Sequence, residues 1–233
     1  MKNKKIALIT GSTSGIGREL AIQLSEKNIH ILLIGKDKNK LEKVEKEIKM
    51  RKGSSTSFLL NLKDHKQIDE LGFEIYKRFN KLDILILNAA ILGTLGPLHH
   101  QDINEFEEVL NINLIANFRL IRTLDPLLKT KKTQSIALIM SSGVAMKPRA
   151  YWGPYAISKA GLENMAKVWA SENIKTSLKV NIINPGATRT KMRAKALPGE
   201  NADNLPSSKK IASKIINYID NENIKHGELI NIK

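Results

Sequence analysis

Thr10-Gly11-Ser12-Thr13-Ser14-Gly15-Ile16-Gly17 follows a short apolar run at 6–10 and leads straight into Arg18-Glu19-Leu20, where helical spacing begins. Glycines at a strand-to-helix junction let the backbone turn sharply and approach a pyrophosphate, whose charge meets the free N–H groups and positive dipole of the helix start. A bare glycine pattern is a weak signal. Its place between a first strand and a first helix makes it a dinucleotide-binding candidate and not an ordinary tight turn. Outward from this junction the alternation repeats. Apolar runs at 6–10, 29–34, 57–60, 82–87, 135–140, 179–184 and 228–232 read as strands, and segments at 16–27, 39–50, 66–79, 103–128, 155–172 and 207–220 read as helices. The run Ile84-Leu85-Ile86-Leu87, apolar without alternation, suits a parallel sheet covered on both faces. The pattern predicts an α/β fold: one doubly wound Rossmann-type domain over 1–233 with a seven-stranded parallel sheet and helices on both faces. Its cofactor-binding half covers about 1–130 and its catalytic and substrate half about 131–233. The long irregular stretch with Gly186, Pro198, Gly199 and Pro206 reads as a lid over 186–206, not as a domain boundary.

Composition narrows the function classes. The 233 residues are 42% apolar, enough for a sizeable core. Cysteine is absent and the five histidines are scattered, so disulfides and thiolate metal sites are excluded and no metal is expected. Lys2, Lys4 and Lys5 precede an apolar run that stops at Gly11, too short for a signal peptide, and no window reaches the roughly 18 apolar residues of a membrane span. A soluble, cytoplasmic protein without membrane contact is expected. The net charge of +15 raises the question of nucleic acid. However, of the 38 basic residues 30 are lysines spread through nearly every segment, and 5% aromatics offer few stacking platforms, so solvated helix faces account for the charge and no nucleic-acid partner is expected.

Four polar positions stand out for chemistry. Tyr155 and Lys159, four apart on a helix, share a face, and a nearby ammonium brings a phenol of reference pKa about 10 toward a useful range. On spacing alone they read as a surface pair. Ser142 lies at the end of the fifth strand, where its hydroxyl can donate to an oxygen on which charge develops. Ser141 is the competing candidate, more simply a hydroxyl closing a turn. Asn113 interrupts the apolar stripe Phe106, Val109, Leu110, Leu114, Ile121, and a buried amide without partners costs about 1 to 3 kcal/mol, so it needs a reason. A cap or a bond to a neighbouring helix is the plain one. After the second strand, Ile34-Gly35-Lys36-Asp37 has Lys36 placed to pair with a ribose 2′-phosphate, with the opposing charge of Asp37 one residue further.

Together these motifs resemble the short-chain dehydrogenase/reductase family. The three residues between Gly11 and Gly15 match its glycine spacing; Asn88-Ala89-Ala90 resembles its Asn-Ala-Gly, Tyr155 to Lys159 its Tyr-x-x-x-Lys, and Pro185 to Thr190 its Pro-Gly-x-x-x-Thr, all in family order. Within the family, Trp152-Gly153-Pro154-Tyr155 and 184–194 look most like the bacterial YciK-type oxidoreductases. The resemblance implies hydride transfer between a nicotinamide cofactor and a carbonyl or secondary alcohol. It makes Tyr155 the general acid/base, Lys159 the group that tunes it and holds the nicotinamide ribose, Ser142 the donor to the substrate oxygen, and Asn113 the support of a water linking Lys159 to solvent. The implied cofactor contacts are Gly11, Ser12, Thr13, Gly15, Ile16, Gly17, Lys36, Asn61, Leu62, Asn88, Ala89, Ala90, Tyr155, Lys159, Pro185, Gly186, Thr188 and Thr190. The family's acidic position falls on Gly35, and Lys36 stands where NADP-preferring members carry a base, so NADP(H) is favoured over NAD(H). Asn61 departs from the usual Asp and Ala90 from the usual Gly. A homodimer or homotetramer through 103–128 and 155–172 is implied as well.

Pocket walls are expected from Leu92, Val144, Met146, Trp152 and Met192, ringed by Lys147, Arg149, Arg189, Lys191, Arg193 and Lys195. Three of the eight arginines fall there, which suits an anionic group on the substrate, although a solvated basic loop is the plainer reading. A non-catalytic nucleotide-responsive or nucleic-acid-binding protein on the same fold is the alternative, and the set Asn113, Ser142, Tyr155, Lys159 argues against it.

Overall fold

The computed structural model describes residues 4–130 and 133–232, so Lys2 of the opening basic cluster lies outside the described residues. Strands β1 (Lys5–Thr10), β2 (Ile29–Gly35), β4 (Ile84–Leu87) and β5 (Ser135–Met140) are buried almost end to end. Alternate side chains of each strand feed opposite layers. Ile6, Leu8, Leu32 and Ile34 pack with α3 (His65–Phe79), α5 (Ala116–Leu128) and α7 (Gly153–Glu172), while Ala7, Ile9, Ile31 and Leu33 pack with α1 (Gly15–Ser25), α2 (Lys38–Met50) and α9 (Ser208–Ile219). With β3 (Ser54–Leu59), β6 (Leu178–Asn184) and β7 (Leu229–Asn231), the strands form one parallel sheet ordered 3-2-1-4-5-6-7, and the one-turn α6 (Gly143–Met146) follows β5. Two apolar faces per strand leave a sheet no arrangement but one with helices on both sides. The order reverses between β1 and β4, and at such a switch point the carboxyl ends of the strands open a crevice.

Three departures from the expected elements affect the site. β3 begins at Ser54 rather than at 57, because a Ser/Thr-rich edge strand pairs through its backbone with β2 and carries little hydrophobic pattern. The single helix expected over 103–128 is α4 (Ile103–Leu110), a wider π turn at Asn111–Ile115, and α5. Within that turn the Asn113 amide is tied to the loop after β4, accepting from Ile91 N and donating to Ile91 O, both at 2.8 Å. A tertiary bond of this kind holds the inserted residue of a π turn, and such turns favour functional sites. The expected irregular lid contains α8 (Lys191–Ala196), capped where Thr190 Oγ1 accepts from Arg193 N at 3.1 Å, and a 3₁₀ turn at Ala202–Asn204. Among the described residues no helix is long and apolar enough to cross a membrane.

Candidate active site

The carboxyl ends of the central strands surround a cavity of about 600 Å³. At one end lies the glycine loop, where Gly11 (φ +64°) and Gly15 (φ +56°) take the left-handed conformation that glycine allows without strain. Gly11, Thr13, Gly15 and Ile16 line the cavity, and so does Ser14, which the motif reading passed over. Ser12 and Gly17 instead face the protein. Ser12 is buried, its hydroxyl donating to Ile34 O at 3.1 Å, and a Cβ on Gly17 would fall 2.3 Å from Asn88 Nδ2 and 2.5 Å from Gly11 O. These two residues let the loop close against its neighbours. Asn88 is the clamp: Nδ2 donates to Thr10 O at 2.9 Å, while Asn88 N and Ala89 N donate to Thr10 Oγ1 at 2.9 and 3.0 Å.

The start of α1 has no side-chain cap and no acid in its first turn, whereas Asp37 caps α2 and Asp64 caps α3. Its first N–H groups and its dipole are thereby left to a ligand, and the donor chemistry fits a pyrophosphate. At the end of β2, Gly35 carries no acid, and a Cβ there would lie 2.7 Å from the Thr13 Cγ2 methyl, which would have to turn aside. Asp37 is directed elsewhere. Its carboxylate accepts from Lys40 N at 3.0 Å and pairs with Lys40 Nζ at 2.9 Å, contacts that hold it below the usual carboxylate range. Lys36 is exposed on the cavity wall. Asn61 and Leu62 complete this end, with Asn61 Oδ1 accepting from Lys63 N at 3.1 Å.

At the other end, the last residue of β5 and the two that follow it engage three residues spaced one turn apart on α7. Met140 O accepts from Lys159 Nζ at 2.7 Å, Ser141 Oγ donates to Glu163 Oε1 at 2.5 Å, and the Ser142 hydroxyl stands beside the Tyr155 phenol, where it favours the ionised form. Tyr155 and Ser142 line the same cavity as the glycine loop. Burial, rather than the ammonium expected from the sequence, dominates the phenol. Desolvation pushes Tyr155 up to about 12 against the opposing Ser142 hydroxyl. Lys159, itself brought down to about 8 by burial against the field of Glu163, has its Nζ 5.8 Å from the Tyr155 ring centroid.

The family described as short chain dehydrogenase matches residues 5–201. The chain belongs to that family. The oxidoreductase YciK of Escherichia coli K12 is 36% identical over 206 residues, which cover 87% of this chain and 81% of YciK. A solved short chain dehydrogenase from Shigella flexneri 2a, complexed with NADP, gives a TM-score of 0.91 at 33% identity, covering 98% of this chain and 97% of that one. One from Escherichia coli CFT073, complexed with NADPH, gives 0.91 at 33%, covering 98% and 96%.

In this short chain dehydrogenase the remaining candidates divide by position. Asn113 is fully buried and off the cavity wall, both amide hydrogens being used, one on Ile91 O and one on Ser158 Oγ at 3.0 Å. Its main-chain oxygen accepts from Asn117 Nδ2 at 2.7 Å. Ser141, the rival of Ser142, is also on the wall, but its hydroxyl turns to Glu163. Ala89, Ala90, Pro185, Gly186, Thr188 and Thr190 are on the wall. Of the expected substrate walls, Leu92, Trp152 and Met192 are present, Val144 is buried beneath Tyr155 in the same apolar cluster, and Met146 is exposed away from the cavity. The lid arginines are already engaged. Arg193 makes a bidentate pair with Glu200, Nε to Oε2 and Nη2 to Oε1 both at 2.6 Å, and Arg189 Nη1 meets Asp203 Oδ1 at 3.1 Å. Glu163 is the site-adjacent residue that the motif reading missed; an acid four residues beyond Lys159 on a helix was its available signal.

Proposed function

We propose that the protein is an NADP(H)-dependent oxidoreductase that moves a hydride between nicotinamide and a carbonyl or secondary alcohol, with Tyr155 as general acid/base. The observation that carries this reading is that the uncapped start of α1 and the Ser142–Tyr155 pair open on one cavity. Gly11, Thr13 to Ile16, Lys36, Asn61, Leu62, Asn88 to Ala90 and the stretch Pro185 to Thr190 would hold the dinucleotide, and when bound it supplies the hydride. With its pKa near 12, Tyr155 keeps its proton at neutral pH and donates it to a carbonyl oxygen in the reducing direction. Ser142 donates to that oxygen as charge grows on it. Lys159 holds the proton supply behind Tyr155, and Asn113 secures Ser158 and the Ile91 loop around them. The 1–233 stretch acts as one Rossmann-type domain in this reading. A screen of NADPH oxidation over varied ketones and aldehydes tests it, and no oxidation with any of them would overturn it.

For the cofactor, Lys36 on the wall, Asp37 turned into a helix cap and the lack of an acid at Gly35 all favour a 2′-phosphate. The NADP and NADPH complexes of two solved relatives agree. Lys36→Ala is expected to weaken NADPH binding about tenfold, the loss of one charge-assisted contact, while NADH binding hardly changes. Fluorescence titration checks this; equal affinities of the unmodified protein for the two cofactors would refute the assignment.

For the substrate, the wall around Tyr155 is Leu92, Trp152, Met192 and Ala196, and of the basic residues on the cavity wall Arg189 and Arg193 are paired with Asp203 and Glu200 while Lys191 is not ion-paired among the described residues. A neutral carbonyl compound with apolar flanks fits this site better than an anionic one. Arg193→Ala is therefore expected to change KM for acidic and neutral carbonyl substrates by the same factor, through a loosened lid. A selective rise for acidic substrates alone would restore the anionic reading. Exposed Ile103, Ile115 and Phe118 on α4 to α5, with Ile157 and Val168 on α7, support assembly as a homodimer or homotetramer across these helices.

A further inference from the structure

Glu163 is 5% exposed and lies one turn beyond Lys159 on the same face of α7. A carboxylate in that position is costly unless it is hydrogen-bonded and charge-compensated, and an apolar side chain would serve packing better beside Leu162 and Ala166. Its Oε1 receives the Ser141 hydroxyl at 2.5 Å. Lys159 is fully buried too, and its Nζ is directed at a neutral acceptor, Met140 O at 2.7 Å. Tyr155, Lys159 and Glu163 thus stand on three successive turns, matched by Ser142, Met140 and Ser141 at and just after the end of β5.

We propose that Glu163 is a positioning residue for hydride transfer: held by the Ser141 hydroxyl, its carboxylate is the counter-charge that keeps the buried Lys159 an ammonium behind Tyr155. The proposal rests on the reading of Tyr155 and Lys159 given above. Among the described residues, Glu163 is the charged group whose field acts on Lys159, opposing the burial that brings its pKa to about 8. The other polar groups around it are uncharged: Tyr155 on its own helix, the Met140 carbonyl of β5 and the Ser141 and Ser142 hydroxyls just beyond it, and, through Ser158, the Asn113 amide from the π turn. Without the carboxylate, Lys159 would lose its proton within the neutral range and could no longer return one toward Tyr155.

The direct test is titration of Lys159 in the unliganded full chain by the NMR shift of its 13C-labelled Cε, assigned with Lys159→Met. Glu163→Gln is expected to lower the Lys159 midpoint by about one pH unit or more. The alkaline limb of the kcat profile should move down by the same amount, so that the loss of turnover grows with pH. Glu163→Asp, which keeps the charge, should recover part of both shifts. Should Glu163→Gln fail to fold, Ser141→Ala decides, with a smaller shift in the same direction. A Lys159 midpoint unchanged in the folded variant, with only the melting temperature lowered, would overturn the proposal. Because the NMR midpoint needs no turnover, absence of reductase activity would count against the proposed function and leave this result to decide on Glu163.

Discussion

Tyr155→Phe is expected to lower kcat for carbonyl reduction by about 100-fold to 10,000-fold, the usual worth of a positioned proton donor, while NADPH still binds. The substitution takes away the phenol oxygen and little else. The ring remains packed among Leu92, Val144, Ala156 and the edge of Trp152, so the fold and the cavity survive. What disappears is a proton that burial holds on the oxygen and that Ser142 helps to aim. Steady-state kinetics beside a cofactor titration separate the two effects. Near-native turnover by the Phe variant would remove Tyr155 from the chemistry.

The second large effect is expected at Gly17, through packing. A methyl group there would lie 2.5 Å from Gly11 O and 2.3 Å from Asn88 Nδ2, the amide that ties β4 to β1. A backbone oxygen in a tight loop cannot move aside cheaply, so α1 must back away from the loop whose N–H groups it presents. Gly17→Ala should cost about 1 to 3 kcal/mol of stability, typical of overpacking, and weaken NADPH binding at least tenfold. Gly199→Ala, with nothing within 4 Å of the added carbon, is the control and should change neither. Thermal melts and cofactor titrations that do not distinguish the two variants would refute this account of the glycine loop.

The sheet was legible because its signal is local. Apolar runs with two buried faces place β1, β2, β4 and β5 to within a few residues, and the glycine junction places the crevice at the switch point. Partner choice was not legible. Ser12 and Thr13 look alike in a motif, yet one hydroxyl reaches back to Ile34 while the other residue faces the cavity, a difference decided by how the loop meets β2. The π turn at Asn113 was hidden for the same reason: its cause is the backbone of Ile91, 22 residues away. Pairing in the lid was not legible either. The basic residues 189 to 195 are plain in the sequence, but that Arg189 meets Asp203 and Arg193 meets Glu200 depends on how the segment folds back. Ionisation was the least legible property of all, since the balance at Tyr155 between desolvation and a neighbouring cation depends on burial, which spacing does not encode.

The most direct measurement of the central claim uses NADPH carrying deuterium at both positions of nicotinamide C4, incubated with the protein and neutral apolar ketones or aldehydes, with the alcohol product read by mass spectrometry. The account predicts one deuterium on the carbinol carbon with wild-type protein, and a rate lowered by the Tyr155 factor in Tyr155→Phe. Alcohol formed without deuterium, or no alcohol from any member of the panel while NADPH is bound, would contradict it.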